Sequence, residues 1–484
     1  GKIWVGTFGE GLYAKDPGAD KFQQVQQYGA DVFPENLVIE AILDDKKGNI
    51  WIGTYGNGLY LLDEKEEKIL HFLPERRNPY SIGFQDILSI KEDKEGAIWI
   101  GTDGGGISYY NSHFHNFQRL IAQDVPDDIS IQQIRAIATD EEGGIWLGTS
   151  GKGLTYISPD LREKKTFHLR PYQPGIANYD RIVSLLVDAE GDLWIGTQGN
   201  GLLIRDRKSG EIKKWFHSKA RATENYVPDN TFWSLLETES GKVYAATRNA
   251  GVLLIDKNKG LLSSFSGSNT EYSNSDKTNI RSIVKVNDSL LALGAEGNAL
   301  HLLNTCKGLF RTLQNPVIAE TLKDEYGIKS LYYDKGFLWA GTAGQGLLVT
   351  HLASGSTTSI TSEQGLPNEM IYGIIPEGKN SLWMSSNKGL LRLSYTFSGN
   401  NVRVKKIQSY TVGDGLQSNE FNTGAYHRSK NGTLYFGGIN GLNFFHPKNV
   451  LQERKSGKVV LTGAMVDNEP LKTDSLITYQ SHIK

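Results

Sequence analysis

The sequence predicts an all-β fold of repeated four-stranded units, a β-propeller, and three observations lead there. A motif of the form G-x-I-W-I-G-T, followed by glycines and a short apolar stretch, recurs along almost the whole chain. Its period is near 48 residues, the length of four short strands with their turns. Composition agrees: 54 glycines, 14 prolines and 10% aromatic residues suit strands and tight turns. Segments with apolar residues at helical spacing are hard to find.

The clearest copies begin the chain: "GKIWVGTFGEGLY" at residue 1, "GNIWIGTYGNGLY" at 48, "GAIWIGTDGGGISYY" at 96, "GGIWLGTSGKGLTY" at 143 and "GDLWIGTQGNGLL" at 191. Diverged copies follow at 241, 288, 336, 380 and 431, which makes ten. Trp4, Trp51, Trp99, Trp146, Trp194, Tyr244, Ala292, Trp339, Trp383 and Tyr435 hold the Trp position, at spacings of 44 to 52 residues.

Within each copy "IWIG" is an unbroken apolar run, as expected of a strand covered on both faces. The glycines after the Thr let the chain reverse with φ > 0. "GLYLL" or "GISYY" is the returning strand. Upstream lies another, such as "DILSIKED" or "RIVSLLVD", joined to "IWIG" by a D-x-x-G turn (Asp93 to Gly96, Asp188 to Gly191). A fourth strand, such as "HFHNFQRL", completes each unit. Packing of one blade on the next explains why both faces of "IWIG" are apolar. "GTDGGG" taken alone could pass for a phosphate-cradling loop, but such loops lead into a helix, and these glycines lead into a strand.

Ring closure usually takes four to eight blades. Ten copies therefore divide into three blades of an incomplete N-terminal propeller (1–119) and a seven-bladed propeller (120–455). The alternation of "KVVLTGAMVDNEPLKTDSLITY" predicts the beginning of an immunoglobulin-like β-sandwich over 456–484. The opening "GKIWVGT", without Met, predicts a piece of a longer protein. An incomplete ring exposes sheet edges, so the first three blades are expected to need a further segment.

A net charge of −2 gives no electrostatic sign of nucleic-acid binding. The single cysteine, Cys306, excludes an internal disulfide and a cysteine-based metal cluster. No apolar run approaches the length of a membrane helix, and no signal peptide is visible.

The motif G-x-I-W-I-G-T-x-x-G-G-L at this spacing resembles the regulator-propeller repeat of bacterial two-component sensors. Followed by a "VVLTGAMVDN"-type segment, it is similar to the sensor region of hybrid two-component histidine kinases of Bacteroidetes. There, two seven-bladed propellers precede an immunoglobulin-like three-tyrosine domain, a membrane helix and a kinase. The resemblance implies a periplasmic, non-catalytic module that senses an oligosaccharide. It also implies a homodimer in the full-length protein and membrane attachment through a segment outside this chain. No catalytic residue, cofactor, metal or bound nucleic acid is implied for the chain itself.

Any ligand chemistry is expected at variable positions beside the motif. One lies just before the small residue of each inner strand: Arg135, Val183, Trp233, Arg281, Lys329, Tyr372 and Thr423 in the seven later blades. A second follows the motif Thr: Ser150, Gln198, Arg248, Glu296 and Ala343 in five of them. Sugars are gripped by aromatic faces and by charged or amide groups in largely pre-formed sites. The candidate ligand residues are thus Trp233, Arg248, Arg281, Glu296, Lys329, Tyr372 and Arg135. Their cations favour an acidic sugar, although the same residues could pair among themselves and line a wet channel.

Three other features stand out in the sequence. The insertion 207–226 carries Lys213, Lys214, Lys219 and Arg221 around Trp215, either an anion-binding loop or a solvated outer strand. His113 and His115 lie on one side of a strand without further ligands nearby in sequence. Residues 266–279 form a polar loop without a chemical signature. The competing functions are a propeller glycosidase or polysaccharide lyase, which needs paired carboxylates, and a protein–protein scaffold.

Overall fold

The computed structural model describes residues 1–75, 81–94, 96–110, 117–169, 180–220, 223–239, 241–266, 279–297, 300–322, 327–450, 465–466 and 469–470. It is almost entirely β. Among the described residues the one α-helix, Pro316–Thr321, begins at Asn315, whose side chain accepts the Ile318 N–H. The ten motif copies form ten antiparallel sheets, eight of four strands and two of three. The chain divides into two compact units: Gly1–His71, Asp86–Tyr109 and Leu451–Lys484 form one, and Phe72–Gln85 with Tyr110–Val450 the other.

The first unit contains the first three sheets. Its middle sheet, Ile39–Asp44, Ile50–Thr54, Leu59–Asp63 and Lys68–Phe72, has four strands and buries Trp51 to 1% exposure. The third, Ile87–Glu92, Ile98–Thr102 and Ile107–Tyr110, leaves Trp99 at 45% and Ile107 at 71%. The same motif Trp is thus a core residue in one blade and a surface residue in another. Of residues 456–484, only the antiparallel pair Met465–Val466 and Glu469–Pro470 is described, and the sandwich expectation otherwise lies outside the described residues.

In the second unit seven four-stranded sheets follow one another. Their innermost strands are Ile134–Thr139, Ile182–Val187, Phe232–Glu239, Ile280–Asn287, Ile328–Asp334, Gly373–Glu377 and Phe421–Arg428. They neighbour one another in that order, and the last lies beside the first, so the ring is closed. Closure has a second tie. The strand Gln118–Ile121 pairs with Gly441–Phe445 and supplies the outer strand of the seventh sheet, with Leu120 opposite Leu442. This corrects the expectation that "HFHNFQRL" is the fourth strand of the third blade. Leu120 fills a core with Leu442 and Ile134, to which the seventh and first sheets both contribute, and Ile121 is buried beside it in the chain.

Three local devices recur in the motif. The Thr hydroxyl closes the Gly-rich turn by donating to the carbonyl four residues on, at 2.9 Å for Thr149 to Gly153 and 2.7 Å for Thr197 to Gly201. The Gly of "IWIG" lies under the inner strand of the next blade. A Cβ on Gly294 would stand 2.5 Å from Ile328 Cγ2, and one on Gly437 2.5 Å from Ile134 Cγ2, across the seam of the ring. This glycine therefore serves close approach between sheets, not chain reversal.

The third device explains the D-x-x-G turn. The carboxylate six residues before the Trp accepts its indole N–H: Asp45 from Trp51 (3.1 Å), Asp140 from Trp146 (3.3 Å), Asp188 from Trp194 (3.0 Å) and Glu377 from Trp383 (2.9 Å). A buried indole N–H needs such an acceptor. Where Tyr435 replaces Trp, the sixth residue back is Ser429, which hydrogen-bonds its hydroxyl.

Candidate functional site

Six of the seven inner strands of this unit begin with an irregularity of pairing. Ile134 pairs with Thr149 and Ala136 with Gly148, which leaves Arg135 as an extra residue in a β-bulge. The same shift occurs at Val183, Trp233, Arg281 and Lys329. A bulge bends the strand and re-aims the side chain it carries. Here the five bulged residues, from five successive blades, line one central cavity of about 300 Å³. Thr423 and Gly424 add to the wall from a wider irregularity between Phe421 and Tyr426. In the first unit the corresponding bulges present Glu40 and Leu88, so the cationic set belongs to the second unit.

The geometry of this cluster is specific. The Arg281 guanidinium carbon lies 3.8 Å from the ring centre of Trp233, a close cation–π stack. The Trp233 indole N–H donates to Asn279 Oδ1 at 3.1 Å, which fixes the ring plane. Glu296 bridges two cations, contacting Arg281 Nε through Oε2 and accepting from Lys329 Nζ through Oε1 at 2.9 Å. Burial works to raise the Glu296 pKa, but Lys329 and Arg281 outweigh it and hold the carboxyl below its ordinary value.

Arg135 differs. Its Nε is buried and has no acceptor among the described residues. Burial, and then the like charges of Arg281 and Arg181, lower its pKa. Two other shielded cations of this unit are matched. Lys257, 4% exposed, contacts Asp188, Glu190 and Asp192, and Arg392 binds Glu377 through two nitrogens at 2.6 and 2.8 Å.

The structure therefore brings together Arg135, Trp233, Arg281 and Lys329 on the cavity wall, with Glu296 joined to two of them. Two candidates lie apart from that wall. Arg248 is exposed, and its N–H is taken by the Thr231 carbonyl. Tyr372 precedes a strand that pairs without a bulge, Gly373 opposite Ser385, and does not line the cavity, although it lies near enough to Arg135 for the two to interact electrostatically. Its hydroxyl hydrogen-bonds Asn387 instead, and burial raises its pKa.

Sequence reasoning missed His427 and Thr139, which meet at 2.9 Å on the same wall. Burial pushes the His427 pKa down to about 4. The irregular pairing of its strand breaks the repeat register that located the other residues. No Asp or Glu lies on the wall among the described residues, where glycoside hydrolysis would use two.

The insertion offers little free charge. Lys213 contacts Asp192 and Asp206, Lys214 contacts Glu224, and Trp215 donates to the Asn200 carbonyl at 2.7 Å. Arg221, His113, His115 and residues 267–278 lie outside the described residues.

With fold and site in view, the chain can be set beside known proteins. The two component regulator propeller model matches residues 33–56, 81–104, 128–151 and 176–199. Those four segments are similar to two-component regulator propeller repeats, and the chain as a whole folds as a β-propeller protein. Its fold matches the extracellular domain of BT3049 from B. thetaiotaomicron, a protein assigned as a hybrid two component system. The TM-score is 0.71 at 23% identity, over 98% of this chain and 59% of that one. The extracellular domain of BT4673, likewise so assigned, gives 0.53 at 21% identity over 97% and 60%. Histidine kinase P4 of Formosa agariphila is 31% identical over 115 residues, 23% of this chain. The chain spans about three fifths of the solved domains and 8% of that kinase.

Proposed function

We propose that this chain is the ligand-sensing portion of a two-component signalling protein and that it takes an oligosaccharide at the central cavity of the seven-sheet unit. Placement outside the cytoplasmic membrane, dimerisation and relay to a kinase belong to the same proposal, supported by the extracellular domains whose fold the chain shares. One observation carries the site: bulges in five blades turn their extra residues onto one cavity, where an indole face lies among three cations. An aromatic face suits the C–H surface of a sugar ring, and fixed cations suit its hydroxyls and acidic substituents. The glycosidase or lyase reading lacks a carboxylate pair on this wall among the described residues.

Calorimetric titration with a panel of oligosaccharides tests the proposal, with turnover followed in parallel. At least one member is expected to bind without being cleaved. The double substitution Trp233→Ala with Arg281→Ala should abolish that binding while the thermal transition stays cooperative. Unchanged affinity in the double variant would sink the assignment of the site.

A further inference from the structure

We infer that the group recognised at this cavity is an anionic substituent of the sugar, a carboxylate or a sulfate, and that Arg135 is its anchor. The inference rests on the saccharide-binding reading and adds the chemical class of the ligand. It starts from charge. Three cations, Arg135, Arg281 and Lys329, stand on the cavity wall, and one carboxylate, Glu296, serves two of them. Desolvated charge that lacks a partner is costly, and folded chains seldom keep it without use.

The contrast inside the same unit sharpens this. Lys257 is shared by three carboxylates, and Arg392 is held at two nitrogens by Glu377. Arg135 has a buried Nε without an acceptor among the described residues and lies near enough to Arg281 and Arg181 to feel their charge. A guanidinium is a planar fork suited to two parallel hydrogen bonds with a carboxylate or sulfate. Neutral hydroxyls would leave the excess charge in place, whereas one anionic group would supply both the missing acceptor and the countercharge. Trp233, stacked on Arg281, then offers its remaining surface to the ring that bears the anion.

The test uses the whole chain and acidic oligosaccharides of several backbones: oligogalacturonates, hyaluronan fragments and sulfated chondroitin fragments. Each is paired with its neutral counterpart, carboxyl-reduced or desulfated. Calorimetry is expected to find a binder among the acidic members, with affinity at least tenfold lower for its neutral counterpart and falling as salt rises. Arg135→Gln should lower the acidic affinity at least tenfold and remove most of the difference between the paired probes. The conservative Arg135→Lys should restore part of it, and both variants should keep the parent melting temperature. A neutral member binding as tightly as its acidic partner, or an Arg135→Gln variant that still discriminates, overturns the inference and leaves the saccharide site standing. Absence of binding by every acidic and neutral member overturns the saccharide reading itself.

Discussion

Replacing Asp188 by alanine tests how far the pairing of Trp with the carboxylate six residues upstream holds the blades together. The Asp188 side chain is fully buried. Its Oδ2 accepts from Trp194 Nε1 and from Lys257 Nζ, both at 3.0 Å, and its Oδ1 accepts the N–H groups of Glu190 and Asp192 at 3.0 and 2.9 Å. Alanine leaves a buried indole N–H and two turn N–H groups unmet. Lys257 keeps Asp192 and Glu190, so its charge is not stranded. Breaking a buried charged pair costs roughly 3–5 kcal/mol, and the retained partners put this case near about 3 kcal/mol.

Unfolding entropy is about 2.1 cal/mol/K per residue, which for a unit of roughly 350 residues gives about 0.7 kcal/mol/K. The melting temperature should therefore fall by about 4 °C, read by differential scanning calorimetry at neutral pH. Asp188→Asn keeps one acceptor oxygen but turns an NH2 donor toward the groups that the other oxygen serves, so it should also lower the melting temperature, by no more than alanine does. A fall below about 1 °C for alanine would refute this account of the motif.

Three further outcomes follow from the same geometry. Gly437→Ala drives a methyl into Ile134 across the ring seam and should cost about 1–3 kcal/mol in denaturant unfolding. Trp339 has a buried indole N–H without a partner among the described residues, because the sixth residue back is Tyr333. Trp339→Phe should therefore cost about 1–3 kcal/mol less than Trp194→Phe, which removes a buried hydrogen bond to the Asp188 carboxylate; equal costs would contradict the motif. His427, with its pKa pushed down to about 4, binds a proton less readily folded than unfolded. Stability should thus fall as the pH drops from about 6.5 to 4, by about 3 kcal/mol, and His427→Asn should flatten that limb of a pH–stability profile.

Fold was legible because packing repeats. Trp51, Trp194 and Trp383 occupy equivalent space between sheets, and selection for that space writes the same word at each copy. The positions beside the word were legible for the same reason: one register located Arg135, Trp233, Arg281 and Lys329 together. Two things escaped. Strand exchange at closure is a contact 325 residues long in sequence, Asn443 Nδ2 to the Gln118 carbonyl, and nothing in "HFHNFQRL" says which sheet it joins. His427 escaped because its strand departs from the common pairing, with a wide irregularity after Phe421. Repeat logic fails where the backbone stops repeating.

The bulge also separates two demands that would otherwise compete at one position. Residues 134 and 136 must be Ile and Ala, since Ile134 presses on Gly437 and Ala136 lies among packed side chains. An extra residue between them takes part in neither contact and is free to be Arg, Val, Trp or Lys from blade to blade. Ligand chemistry can then vary without disturbing the ring. If the proposed site is right, the five bulge positions would set specificity, and the motif glycines and tryptophans would carry none. Exchanging Val183 for Thr should alter which saccharide binds while lowering the melting temperature by no more than about 3 °C, and the reverse result would place specificity elsewhere.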